Sequence, residues 1–78
     1  MYLLYVNPSN KRLKDLLYQW TRGFKGHRDM RPWLVRRMST NTLLLREDPY
    51  VLNVIRWLKF REGEDNVRIY KVEEIEVY

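Results

Sequence analysis

The side chains of this sequence best suited to chemistry are cations, and they are concentrated in one half. Residues 1–46 hold ten Lys or Arg and two Asp, whereas residues 47–78 hold five Lys or Arg and eight Asp or Glu. The first half therefore has a formal charge of +8 and the second half a charge of −3. Such a concentration of positive charge favours the binding of a polyanion, because cations that contact its phosphates release the counterions bound there. The pattern predicts binding and indicates no reaction.

Groups that could catalyse a reaction or hold a metal are sparse. His27 is the only histidine, and the residues around it supply neither a nucleophile nor a group to orient it. A contact with phosphate or solvent therefore suits it better than a role as general base. The acids at 62–65 and 73–76 lack the spacing of a calcium loop, and the chain has no cysteine. We expect no enzyme activity, no cofactor and no metal.

A predicted helix positions the first cations. Apolar residues recur at helical spacing from an N-cap at Ser9 to an end near Gly23. They are Leu13, Leu16, Leu17, Trp20 and Phe24. At about 100° per residue, a second flank collects cations around one aromatic ring. This flank holds Lys11, Lys14, Tyr18, Arg22 and Lys25. Cations that meet phosphates and a ring that stacks on a base are typical of nucleic-acid binding; the alternative is the solvated face of an ordinary amphipathic helix.

The basic residues continue beyond this helix. Residues 23–32 form a predicted connector with cations beside two glycines, and Arg36-Arg37 follow in a predicted strand. Adjacent strand residues point to opposite faces, so one of these two arginines can join the surface, and we assign Arg36 to it. A solubilising loop is the alternative interpretation of the connector. The predicted nucleic-acid-binding residues are Lys11, Lys14, Tyr18, Arg22, Lys25, Arg28, Arg31 and Arg36.

Four predicted strands and a second helix complete the chain. The apolar run Met1–Val6 predicts a buried central strand, and strands at 33–38 and 42–46 are joined by a short hairpin loop at 39–41. Asp48 and Pro49 begin the second helix, and Gly63 ends it. Val67–Val72 predicts the last strand, with a possible short fifth strand at 75–78.

The order β-α-β-β-α-β predicts one α+β domain over residues 1–78. It is a ferredoxin-like sandwich, with one antiparallel sheet and both helices on one face. An unrelated α+β meander is the structural alternative.

The second helix has a flank of its own beside its core positions Val51, Val54, Ile55 and Leu58. A two-layer fold buries one face of such a helix, so this other flank stays partly exposed, and exposed aromatic patches mark partner surfaces. Self-association or a protein partner would cover it; the alternative is cover by the connector or the C-terminal segment. The predicted partner interface is Tyr50, Asn53, Trp57 and Phe60.

The composition also bears on location. No apolar stretch approaches about 18 residues, so we expect no membrane partner. The short run Met1–Val6 has no basic region before it and is not expected to be a signal peptide. The absence of cysteine fits the interior of a cell, and we expect a cytoplasmic protein.

Several segments together resemble a known family. The Met1–Val6 strand, the Lys11-Arg12-Leu13 helix start, the strand within 65–70 and the short strand after it resemble the small ferredoxin-fold CRISPR-associated integration subunit. The resemblance implies a symmetric homodimer whose final strand crosses to the partner. The family's metal-binding Asp closes the first strand, where this chain has Asn7. Asn7 therefore argues against nuclease activity and leaves a structural, DNA-contacting role. Small viral and phage factors share the fold.

These observations predict a small, basic, non-enzymatic protein that binds DNA or RNA as a homodimer. The alternative is a viral or phage-type inhibitor or adaptor that acts on a host protein through the second helix. A third hypothesis is a metal-dependent nuclease of the integration-subunit type.

Overall fold

The secondary structure follows the predicted succession of strands and helices. The computed structural model describes residues 1–22 and 30–73. The elements are β1 (Tyr2–Val6), α1 (Lys11–Arg22), a short 3-10 helix (Arg31–Trp33), β2 (Leu34–Ser39), β3 (Thr42–Leu45), α2 (Pro49–Glu62) and β4 (Val67–Lys71). The predicted connector cations Lys25, His27 and Arg28, the helix end near Gly23 and the possible fifth strand at 75–78 lie outside the described residues.

The four strands form one antiparallel sheet in the order β2-β3-β1-β4. β1 is central, as predicted, but only its alternate residues Tyr2, Leu4 and Val6 are buried, while Leu3 and Tyr5 are partly exposed. The predicted burial of this strand holds for alternate residues only, because the helices cover one face of the sheet. The molecule is thus an α+β protein whose sheet and two helices are compatible with a ferredoxin-like fold.

A single hydrophobic core lies between the helices and the sheet. α1 contributes Leu13, Leu17 and Trp20, and α2 contributes Val51, Ile55 and Leu58. The sheet contributes Tyr2, Leu4, Val6, Leu43, Leu45 and Val67. Because both helices bury residues against these same sheet positions, they pack on the same side of the sheet.

Hydrogen bonds at the helix ends explain where α1 and α2 begin. Asp48 accepts the N–H of Tyr50 at 2.8 Å and Pro49 follows it, so the predicted start of α2 is confirmed. Gly63 ends α2 with φ +86°, a conformation that glycine adopts without strain. The N-cap predicted at Ser9 is wrong, because Asn10 accepts the N–H of Leu13 at 3.2 Å.

The predicted hairpin is confirmed, with differences at both ends. Trp33 belongs to the 3-10 helix, and β2 continues to Ser39, so the loop between β2 and β3 is the pair Thr40-Asn41. Asn41 fastens this loop to β1: its side-chain amide donates to the carbonyl of Val6 at 3.0 Å. β2 is irregular, with register shifts between Leu34 and Arg36 and between Arg37 and Ser39.

Candidate nucleic-acid interface

Tyr18 lies at the centre of a basic surface built from α1 and β2. The guanidinium carbons of Arg22 and Arg37 both lie 5.5 Å from the centroid of its ring. Arg37 also donates to the hydroxyl of Thr21 at 3.4 Å and to the carbonyl of Ser39 at 3.2 Å. These contacts orient the two cations against an aromatic ring whose residue is 45% exposed.

The structure brings Arg37, and not Arg36, to this surface. Arg37 is opposite Leu43 in the register of β2 and β3, on the side of the sheet that the helices cover, whereas Arg36 is opposite Leu44. The expectation that only one of the two arginines could join the α1 cations is confirmed. The choice between them follows from the register shift after Leu34, which reverses the sides to which the next residues point.

The flank of α1 carries the predicted helix residues. Lys11, Tyr18 and Arg22 are exposed, and Lys14 is half-buried. Among the described residues, no carboxylate forms an ion pair with Lys11, Lys14, Arg22 or Arg37. These four cations are the candidates for contact with an external anion.

Arg12 lies outside this flank and has an internal partner. Its Nη2 lies 2.6 Å from Oε2 of Glu62 at the end of α2. The hydrogen bond and the charge of Glu62 raise the pKa of Arg12, and the hydrogen bond from Arg12 lowers the pKa of the Glu62 carboxyl. This pair joins the two helices and removes one cation from the set that could bind phosphate.

Other acids of the second half are also neutralised within the molecule. Lys71 lies 3.0 Å from the carboxylate of Glu47, and its hydrogen bond and charge lower the pKa of that carboxyl. Lys59 lies 3.7 Å from Glu64. Lys59 and Lys71 thus offset part of the negative charge of this half.

Of the predicted connector cations, the structure describes Arg31 alone. Arg31 is exposed at the first residue of the 3-10 helix, which packs next to α1. Lys25 and Arg28 fall within the undescribed residues 23–29. The predicted set is thus brought together in part, with Arg37 as the member that the sequence did not single out. The sequence shows that a second arginine follows Arg36, but it does not show on which side of the sheet each of the two lies.

The predicted stripe on α2 divides into buried and exposed parts. Tyr50 is half-buried, and its ring lies 4.7 Å from that of Trp33, at 45°. Trp57 is 55% exposed and Phe60 is 90% exposed. Asn53 is also exposed. Trp57 borders an apolar groove of about 500 Å³ between the two helices, which Leu16 and Trp20 line from α1.

The described part of the chain contains no cluster of side chains suited to a metal ion. Across residues 1–22 and 30–73, no group of three His, Cys, Asp or Glu side chains could hold a metal ion. Asn7 has local partners: its side-chain oxygen accepts the N–H of Ser9 at 2.9 Å, and its amide donates to the carbonyl of Asp65 at 3.4 Å. These bonds connect the end of β1 to the turn before β4.

Neither helix in the described part of the chain has the length and apolar composition needed to cross a membrane.

Comparison of the sequence and structure with models of protein families, with curated proteins and with solved structures gives no match. The functional argument therefore depends on the geometry and charge of the surfaces described above.

Proposed function

We propose that this protein binds nucleic acid, DNA or RNA, through the basic surface of α1 and β2, and that it does so without catalysing a reaction. The observation that supports the proposal is the position of Arg22 and Arg37, whose guanidinium carbons both lie 5.5 Å from the centroid of the Tyr18 ring. No described carboxylate forms an ion pair with either arginine. Cations held beside an aromatic ring can contact the phosphates of a nucleic acid while the ring stacks on an adjacent base.

The shape of α1 determines how many phosphates can be reached. A helix rises about 1.5 Å per residue, so the flank from Lys11 to Arg22 spans roughly 16 Å. Cations spread along this length meet several phosphates of one strand. Phosphate contacts position a nucleic acid but do not identify its bases, and the protein therefore has low sequence selectivity.

The test is the salt dependence of binding, measured by fluorescence anisotropy with labelled duplex and single-stranded DNA and RNA. On duplex DNA the log–log slope changes by about 0.9 for each phosphate neutralised. Lys14→Ala with Arg22→Ala should flatten that slope by about two. The matched control, Arg56→Ala with Lys59→Ala, removes the same charge from α2 and should leave the slope close to that of the unmodified protein.

Two results would contradict the proposal. One is the absence of binding to any of these nucleic acids at ~50 mM salt, where phosphate contacts are strongest. The other is an equal change of slope in the control variant, which would mean that net charge alone governs binding and that α1 has no special part in it.

The fold that carries this surface is, we infer, ferredoxin-like. β3 lies between β1 and β2, and β1 lies between β3 and β4. Each helix therefore connects two parallel strands that are separated by a third, which is the arrangement of two interleaved split β-α-β units.

A second candidate function is protein binding through α2, including formation of a homodimer. The observation in its favour is Phe60, which is 90% exposed one helical turn from the exposed Trp57. Large exposed aromatics are the residues that anchor protein interfaces. A partner could be a second copy or, for an inhibitor or adaptor of the viral or phage type, a host protein. Specific retention of one protein without retention of DNA or RNA would favour this function over nucleic-acid binding.

A further inference from the structure

The sheet has a second face, opposite the helices, which the basic surface of α1 does not include. Along β1, Leu3 and Tyr5 alternate with the buried residues and are partly exposed. The strand register aligns residues of the other three strands with them on this face. The resulting open face holds Leu3, Tyr5, Arg36, Thr42, Leu44, Arg68 and Tyr70, none of which is buried.

Two tyrosines lie on neighbouring strands of the open face. Tyr5 is opposite Arg68 and Leu3 is opposite Tyr70, so Tyr5 and Tyr70 are diagonal neighbours. Diagonal neighbours of an antiparallel pair lie about 7–8 Å apart, within reach of aromatic side chains. Tyr70 is 46% exposed. Each of the two rings can therefore stack on a flat group of a ligand.

The charge of the open face is positive. The residues named on this face include two arginines, Arg36 and Arg68, and no Asp or Glu. The hydroxyl of Tyr70 raises the pKa of Arg68, with smaller contributions from Tyr5 and from Asp65 in the turn before β4. Arg68 is thus a neighbour of both tyrosines: it is opposite Tyr5 in the register and two residues from Tyr70 in β4. A ligand that combines flat apolar rings with negative charge is complementary to this arrangement.

We propose that the open face binds single-stranded nucleic acid, with bases stacked on Tyr5 and Tyr70 and phosphates held by Arg36 and Arg68. The proposal rests on the proposed function and adds a preference for unpaired strands. Every base has a face on which an aromatic side chain can stack, whereas a duplex keeps those faces inside its own stack. The open face thus adds stacking of unpaired bases to the phosphate contacts that the α1 surface makes with single-stranded and duplex nucleic acid.

The experiment compares Tyr5→Leu and Tyr70→Leu with the unmodified protein by fluorescence anisotropy. The probes are a labelled oligothymidylate of about 12 nucleotides, a length that one small domain can cover, and a duplex of the same length. Each substitution should weaken binding of the single strand by about five- to 150-fold, the loss typical of one stacked base. Affinity for the duplex should not change. Tyr70→Phe keeps the ring and should keep single-strand affinity.

Gln19→Leu is the control, because it changes an uncharged side chain of α1 outside the basic flank, on the other side of the sheet. It should leave single-strand affinity unchanged. Circular dichroism shows which variants fold. If Tyr5→Leu does not, Tyr70→Leu and Tyr70→Phe still test the proposal, because Tyr70 is exposed on the edge strand β4.

The outcomes separate this proposal from the proposed function. Unchanged single-strand affinity in a folded Tyr70→Leu, with duplex binding intact, would overturn the role of the open face and leave the α1 surface in place. Absence of binding to both probes would overturn both proposals. A change of oligomeric state in Tyr70→Leu, without a change in oligothymidylate affinity, would mean that a second copy covers the open face, and the proposal would be overturned.

Discussion

Arg36 and Arg37 are adjacent in the sequence but lie on opposite sides of the molecule. A regular strand alternates, so Arg36 would share the helix-covered side of the sheet with Leu34, which packs against the core. The register shift between Leu34 and Arg36 places Arg36 opposite Leu44 and Arg37 opposite Leu43. One irregularity in an edge strand thus decides which arginine lies beside Tyr18 and which one lies on the open face.

Substitution of each arginine separates the two surfaces. Arg37→Gln should flatten the salt dependence of duplex DNA binding by about 0.9, the value for one phosphate contact. Arg36→Gln should leave duplex binding unchanged and weaken binding of a single strand. Anisotropy titrations at several salt concentrations measure both effects. Equal effects of the two substitutions on the duplex would mean that the duplex contacts both sides of β2.

The ion pair of Arg12 and Glu62 predicts a dependence of stability on pH. The pKa of the Glu62 carboxyl lies below its ordinary value of 4.5, chiefly because Arg12 donates a hydrogen bond to it. A carboxyl whose pKa is lowered by folding stabilises the fold above its ordinary pKa, and this contribution is lost as the pH falls through the lowered value. Glu62→Gln should therefore be less stable than the unmodified protein at neutral pH, with the difference disappearing in acid.

Urea unfolding at a series of pH values measures this difference. Glu64→Gln is the control, because its carboxylate lies 3.7 Å from Lys59 and its side chain is 85% exposed. An exposed pair of this kind contributes little. A constant gap between Glu62→Gln and the unmodified protein at every pH would show that the charge of Glu62 is not the cause.

At the scale of elements, short polar residues determine where each helix begins. Asp48 and Asn10 both accept a backbone N–H from the first turn of their helix. Asn7 shapes the turn before α1 by accepting the N–H of Ser9, and Asn10 is the residue directly before the helix. Ser9 and Asn10 are both suitable N-caps by type, and the geometry of this turn selects the second.

Asp48→Ala should destabilise the protein by roughly 0.5–2 kcal/mol, because the first turn of α2 loses a hydrogen bond and a favourable charge at the positive end of the helix. This is a large share of the stability of a small domain. Asn10→Ala should cost a similar amount. Ser9→Ala is the matched control and should change stability by less than about 0.5 kcal/mol.

Equilibrium unfolding in denaturant measures these differences, and DNA-binding curves of the same variants complete the test. The affinity of folded Asp48→Ala for DNA should match that of the unmodified protein, since α2 lies apart from the basic flank. Unchanged stability would refute the capping role. Intact stability with lost binding would place the binding surface on the acidic half.

At the scale of the whole molecule, exposed aromatic residues on α2 predict self-association. Trp57 and Phe60 lie outside the core, and Arg61 lies 5.2 Å from the ring of Trp57 without covering it fully. A domain of this size buries about 60% of the surface that its unfolded chain exposes, so association would add to a small core.

Sedimentation at several concentrations should show a homodimer. Trp57→Ala should weaken it more than Lys59→Ala, because buried aromatic anchors dominate protein interfaces. A monomer at high micromolar concentration would contradict the homodimer and favour a different protein partner for α2.

The local patterns of this sequence determined the order of its helices and strands, but not the 3-10 helix or the N-cap of α1. Helical spacing of leucines, the Asp48-Pro49 start, the Gly63 end and the hairpin near position 40 all depend on neighbours within a few residues, and the structure confirms them. The basic flank of α1 is equally local, since residues three and four positions apart share one face of a helix.

Tertiary structure decided which surfaces these elements form. The sequence alone did not indicate that Arg37 would contact Tyr18, that Tyr50 would pack on Trp33, or that Tyr5 and Tyr70 would become neighbours. Each of these pairs joins separate segments of the chain. The positions of Arg37 and of Tyr5 beside Tyr70 depend on strand register, whereas Tyr50 and Trp33 meet through the packing of α2 against the 3-10 helix. Register is set by the packing of the whole core, and a shift of one residue moves a side chain to the opposite face of the sheet.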